Sequence, residues 1–329
     1  MKSWYAFVAL IYAVWIVLVA YFGFWADALA HWRMSVVMTL GSVTAGSTPV
    51  GGGSVAFPFM VLVFGQPPSN ARTFGLAIQA VGMTSAFIFI LCRRVPIQDR
   101  ILAWTTVGAA VGIPFGQFVI APHAGTGLVK LLFSCLWMSF AILTLTVNRE
   151  ISLLKNTRII GGRRATYTGL LAGLAGGVAA SMVGVGIELI LYTILVLVYR
   201  CDLKSAVPTA VSGMAIGSII GICLHAMLGD IGREVFFNWL AAVPIVVFGA
   251  PFGAWLVTVL PRRGILSFVS LLCVVQFAWT LKEVAPSRTE WQFVAAAMTV
   301  ATGALVVLYK WGKAGTPLSS ELVDERSST

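Results

Sequence analysis

Apolar runs follow one another along the whole of this chain, near 5–25, 34–64, 72–92, 101–121, 126–147, 166–198, 205–228, 237–260, 265–282 and 291–310. Most are about 20 residues long, the length a helix needs to cross a ~30 Å hydrocarbon core. Inside such a core every backbone N–H and C=O must bond to protein, so continuous apolar runs select helices. Only 10% of the 329 residues are charged and 59% are apolar, whereas a soluble domain carries about 25% charged residues. The chain reads as an all-α polytopic membrane protein.

Composition excludes other classes. The net charge is +10, but the basic residues lie between apolar runs, where membrane topology explains them. No basic solvated face marks a nucleic-acid partner. The five cysteines (Cys92, Cys135, Cys201, Cys223 and Cys273) are scattered, with neither metal-ligand nor disulfide spacing. No metal or other cofactor is expected. No HExxH, nucleophile elbow or P-loop is present, which argues against a hydrolase or an ATP-driven pump. Lys2, a long apolar run and then Ala28-Leu29-Ala30 have the outline of a secretory signal. That run is longer than the usual ~7–15 residues of a signal core, which favours a retained first helix.

Two runs, 34–64 and 166–198, are too long for one ordinary span, and each is interrupted, at Ser47–Gly53 and at Gly176–Gly186. In the first, GSTPVGGG (46–53) places a proline and three successive glycines at what reads as membrane depth, where they break a helix. Each run is either a broken span or a hairpin that returns to its own side, and loop charge separates the two. With hairpins and a cytoplasmic N-terminus, the loops holding Arg93 and Arg94, Arg149 to Arg164, Arg200 and Lys204, Arg262 and Arg263, and Lys310 and Lys313 all fall inside. The outer loops keep a near balance of His123, Asp230, Arg233, Glu234, Lys282, Glu283, Arg288 and Glu290. If both runs crossed, Arg93, Arg94 and Arg100 would lie outside, against the positive-inside rule.

The expected plan is a pair of inverted repeats, each a broken re-entrant helical hairpin plus three transmembrane helices, with an extra helix at either terminus. Residues 1–33 form the additional N-terminal helix. The first repeat is 34–148 (hairpin 34–64, spans 72–92, 101–121 and 126–147), and 149–165 is a cytoplasmic linker. The second repeat is 166–284 (hairpin 166–198, spans 205–228, 237–260 and 265–282), followed by a C-terminal helix at 285–312 and a cytoplasmic tail at 313–329. In sequence Gly51-Gly52-Gly53 parallels Gly184-Val185-Gly186, and Arg72 and Lys204 follow at similar distances. Matched interruptions in the two halves of a membrane protein point to a site near the midplane.

A broken helix presents unpaired backbone N–H groups and the positive end of a half-helix, and glycine lets an anion come close to them. Gly51, Gly52, Gly53 and Ser54, with Gly184 and Gly186, therefore suit an oxyanion, with Thr48 and Ser181 as hydroxyl donors. Arg72 and Gln79 on the following span are further substrate-contact candidates, and Lys204 is a candidate gate at the opposite face. Simple close packing is the competing role for the glycines, and Gly41, Gly108, Gly112, Gly217 and Gly221 fit that role. Glu188, two residues past Gly186, is a costly intramembrane acid, which leaves open a coupling proton, a basic partner or a helix cap. His225 lies near an outer helix end.

The stretches GSVTAGSTPVGGGSVAFPFMVLVFGQPPSNARTFG (41–75) and GLLAGLAGGVAASMVGVGIELILYTILVLVYRCDLKSAVPTAVSG (169–213) resemble the paired signatures of the TauE/SafE sulfite exporter family. Gly51–Gly53, Pro58, Gly65, Pro67-Pro68 and Ala71 follow its pattern, and the likeness covers roughly 34–282. Ala179-Ala180-Ser181, Val185 and Glu188 depart from it. The resemblance implies a carrier of a small anion (sulfite, a sulfonate or a sulfoacetate-like organosulfonate) in a bacterial inner membrane, with both termini cytoplasmic. Proton coupling and a homodimer are compatible with it. An anion channel and a non-transporting assembly subunit are the alternatives.

Overall fold

Helices begin and end where the sequence supplies a stop, and those stops decide where the central breaks fall. The computed structural model describes residues 1–49, 51–123, 125–151, 160–259 and 261–315. Most of the expected linker and tail, at 152–159 and 316–329, lies outside the described residues. The first helices are α1 (Lys2–Phe22), stopped by Gly23 at φ 69°, α2 (Trp25–Ala30) and α3 (Trp32–Ser47). Then come α4 (Gly53–Pro58), continued by a π-helical turn at Phe59–Val63, and α5 (Pro68–Cys92), with a proline at its permissive start. Next are α6 (Asp99–Phe115), α7 (Thr126–Ile151), α8 (Gly162–Val183) and α9 (Ile187–Thr193), the last continued by a π-helical turn at Ile194–Val198. In α10 (Leu203–Leu228), Asp202 Oδ1 caps the first turn by accepting from the Lys204 N–H at 3.1 Å. The chain closes with α11 (Arg233–Val259), α12 (Arg262–Val284) and α13 (Arg288–Gly315). The described residues form no sheet, and 7 helical runs are long and apolar enough to cross a membrane: 2–22, 68–92, 99–123, 162–183, 203–228, 233–257 and 288–313.

The two long apolar runs both double back. Gly52 and Val55 return against Ala45 and Gly41, and Gly186 and Ile187 return against Ala179 and Gly176. In the second segment the start and the end meet: the Thr168 and Tyr199 hydroxyls are 2.8 Å apart. The Arg164 guanidinium lies 5.6 Å from the Tyr199 ring centre and 4.8 Å from that of Trp311. The first break falls where the sequence places it, between Ser47 and Gly53. The second is narrower than the expected Gly176–Gly186 interval and lies at its far end. α8 runs unbroken through Gly176 and Gly177 and stops only at Gly184–Gly186. Those two glycines serve close packing, because a Cβ on Gly177 would sit 2.9 Å from Ile113 N on α6 and one on Gly176 would sit 2.7 Å from Ile187 Cα.

Packing follows one pattern in both halves. α3 lies along α11 as α8 lies along α6, α5 crosses α10 at the centre, and α7 pairs with α12. Matching features recur at a constant step of 135 residues: Gly51 and Gly186 at positive φ, the π-turns starting at Phe59 and Ile194, and the helix starts at Pro68 and Leu203. This step places Arg72 opposite Val207, and Lys204 opposite Ser69, so the expected Arg72–Lys204 correspondence does not hold in the backbone.

One end of the molecule gathers both described termini. Trp4 Nε1 donates to Ser85 Oγ near the end of α5 at 3.0 Å, and Trp311 lies by Arg164. At the same end Gln98 ties three segments together. Its N–H donates to Thr209 Oγ1 and its Oε1 accepts from the Ile160 N–H, both at 2.9 Å. Its Nε2 donates to Ser205 Oγ at 3.3 Å.

Candidate functional site

The two breaks meet over α5. A Cβ added to Gly75 would lie 3.6 Å from Gly184 O and 3.7 Å from Gly53 Cα, and one on Gly53 would lie 2.6 Å from Val185 Cγ1. Gly75 is one turn before Gln79 and presents the same face, which sequence spacing could have revealed. Gln79 Nε2 donates to Gly75 O and to Gly184 O, each at 2.9 Å. Both amide hydrogens are thus committed to carbonyls, and Gln79 stitches α5 to the far break instead of turning a donor toward the centre.

Positive φ at Gly51 (73°) and Gly186 (145°) turns the chain through the breaks, and a β-carbon there meets steric resistance. At Gly51 the space is filled as well: a Cβ would strike Glu188 Oε1 and come 2.9 Å from Gln79 Oε1. Glu188 has no exposure, and its Oε2 accepts from the Gly186 N–H at 3.3 Å. The first amides of α4 and α9 have no carbonyl one turn behind them, and both helices start at this meeting point.

The structure brings together Gly51, Gly53, Gln79, Gly184, Gly186 and Glu188. Gly52 faces away, toward Ala45 and Met38. Arg72 lies beside the second break, where its Nη1 donates to Ser181 O at 3.0 Å. The Ser181 hydroxyl donates to Val178 O at 2.7 Å and that of Thr48 to Thr44 O at 2.6 Å, so both hydrogens are held within their own helices. Ser54 lies in the first turn of α4, and its side chain is outside the described residues. Lys204 is exposed at the Gln98 end, away from the breaks. The sequence reading missed the pair near Arg72, in which His225 Nδ1 lies 2.8 Å from Asp230 Oδ2. Both are within electrostatic reach of the guanidinium. Only the Gly229 turn, which bends Asp230 back onto the helix end, hinted at it.

Two described cavities flank the meeting point. One of about 10 Å³ is lined by Gly52, Gln79, Met38 and Val246, and one of about 20 Å³ by Val185, Gly186, Ala179 and Trp137. Each has room for about one water molecule. Among the described residues no cluster of three or more His, Cys, Asp or Glu could hold a metal ion.

Comparison with known proteins agrees with this geometry. No curated protein and no solved structure matches the chain. The model of the family described as sulfite exporter TauE/SafE matches residues 34–280, which hold both breaks and the helices packed around them. Its members are transporters rather than enzymes, and the chain belongs to this TauE/SafE family of membrane proteins that move small anions.

Proposed function

We propose that the protein is a secondary transporter of a small sulfur-containing anion (sulfite, a sulfonate or a sulfoacetate-like organosulfonate), working by alternating access around the two helix breaks. The observation that carries this reading is the meeting of the breaks, one from each half, at a closed centre. The doubled-back segments, the matched packing and the constant step of 135 residues support inverted repeats with re-entrant hairpins, an arrangement that places substrate at the repeat interface. The anion takes its donors from the amides of the Gly51–Ser54 turn and from Val185, with the Arg72 guanidinium beside the second break; the Gly184 and Gly186 N–H groups are held by Ala180 O and Glu188 Oε2 and shape that break. Thr48 and Ser181 supply backbone shape rather than hydroxyl hydrogens, Gln79 positions Gly184, and Lys204 gathers anions at the far face. Basic residues crowd the end that holds both described termini, which supports cytoplasmic termini in a bacterial inner membrane.

The small flanking cavities leave no room for an oxyanion, so loading requires the halves to part. A carrier then shows saturable exchange that is accelerated by substrate on the opposite side, whereas a channel shows flux that grows linearly. In proteoliposomes holding only this protein, labelled sulfite, taurine and sulfoacetate are tested against sulfate and acetate. The expected result is saturable counterflow of at least one sulfur anion, lowered more than about tenfold by Gly53→Leu, which fills the contact with Val185. Linear flux, or no flux of any of these anions through folded protein, overturns the reading.

A further inference from the structure

Two buried oxygen atoms at the centre lack a hydrogen-bond partner, Glu188 Oε1 and Gln79 Oε1. Both lie within 2.9 Å of the point a Cβ on Gly51 would occupy, and the third nearest atom to that point is the Glu188 carboxyl carbon. Gln79 cannot be turned around to present its nitrogen, because its oxygen would then face the carbonyls of Gly75 and Gly184 that Nε2 now binds. Two acceptors therefore converge on one point, Glu188 with no exposure and Gln79 with 2%, and neither has a donor. An unpartnered buried acceptor is costly, and an unpaired buried charge more so. A single proton on Glu188 Oε1 removes both costs, since the carboxylic acid then donates to Gln79 Oε1.

The surrounding titratable groups do not supply the missing partner. Arg72 on α5 donates from Nη1 to Ser181 O and its buried Nε has no partner, His225 on α10 bonds Asp230, and Tyr192 is buried a turn along α9 itself. Among the described residues no basic side chain bonds the Glu188 carboxyl.

We propose that Glu188 and Gln79 form a proton-binding pair across the two halves, and that the protein carries one proton with each anion in the same direction. This rests on the transport reading above. An anion held by the amides of the same breaks cannot share a buried centre with a carboxylate, because like charges at short range exclude each other. The anion therefore binds when Glu188 holds its proton. When the halves part on the other side, the O–H bond breaks, the proton passes to water and the anion leaves the carboxylate behind. With a monovalent anion the cycle moves no net charge.

Infrared spectroscopy of the protein in lipid at neutral pH tests the pair without any substrate. A protonated carboxyl band is expected that Glu188→Gln removes and Gln79→Leu shifts; absence of the band, or a band indifferent to Gln79→Leu, overturns the pair. The second arm uses isethionate, a monovalent sulfonate. A gradient of one pH unit, acid outside, should support about tenfold accumulation with one proton per anion. A potassium diffusion potential should support none, and replacing sodium by choline should change nothing. Glu188→Gln should abolish both the accumulation and the accompanying proton uptake. Accumulation that follows potential or sodium, or net anion uptake without proton uptake, overturns the coupling while the transport reading stands. Absence of all anion flux overturns the transport reading and the coupling with it, and the infrared result still decides the proton pair.

Discussion

At the scale of single residues, the centre is defined by what a side chain on Gly51 would displace. Gly51 and Gly65 both have positive φ, 73° and 64°, so alanine at either carries a similar backbone strain of about 1–2 kcal/mol. Space separates them: Gly65 has nothing within 4 Å of a Cβ, whereas Gly51 is filled by the Glu188 and Gln79 oxygens. Gly51→Ala should lower counterflow more than about tenfold, and Gly65→Ala should lose thermal stability with counterflow within about twofold of the parent, read in the same proteoliposomes. The importance of Glu188 was legible in the sequence, because an intramembrane acid is costly wherever it stands. The direction of the Gln79 amide was not. It is set by Gly184 O, from a segment more than a hundred positions away, and no local pattern encodes such a contact.

At the scale of elements, a glycine has two uses, and sequence alone does not say which. The first break is readable because proline and a glycine run coincide there, while the expected interval for the second is too wide because Gly176 and Gly177 look like breakers and act as packing surface. The face shared by α6 and α8 makes this testable. A Cβ on Gly173 would collide with Thr105 O and come 2.7 Å from Ala109 N, whereas Gly303 on α13 has nothing within 4 Å. Gly173→Leu is expected to cost about 3 kcal/mol or more through overpacking of backbone against backbone. It should show as loss of monodisperse protein or a sharply lower melting temperature, with Gly303→Leu close to the parent. Six of the eight expected full spans are among the 7 long apolar helices of the described residues, while 126–147 and 265–282 are not and 162–183, expected as a hairpin arm, is; hydropathy and length suffice for a helix in a bilayer but do not say whether it crosses.

At the scale of the whole molecule, loop charge and contacts agree on a polarity. Arg164, Arg200 and Lys313 cluster around Tyr199, Tyr309 and Trp311 at one end, and the Gly232 turn lies at the other. With the exposed Cys223 and the other native cysteines replaced, Lys313→Cys should react with a membrane-impermeant maleimide only in inverted vesicles, and Gly232→Cys only in intact cells. The reverse pattern would place the termini outside. The all-helical membrane fold could be read from hydropathy alone; the pairing of α3 with α11 and of α8 with α6 could not, since it joins segments far apart in the chain.

The step of 135 residues that relates the halves fails at their meeting point. Glu188 stands where the first half has Gly53, Gln79 where the second half has Met214, and Arg72 where it has Val207. Two copies of the first half would bring two amides and no acid to this centre, and two copies of the second half two acids and no amide, which would repel. One acid beside one amide therefore needs halves of different sequence, and a symmetrised chain would have to bind its cargo by different rules.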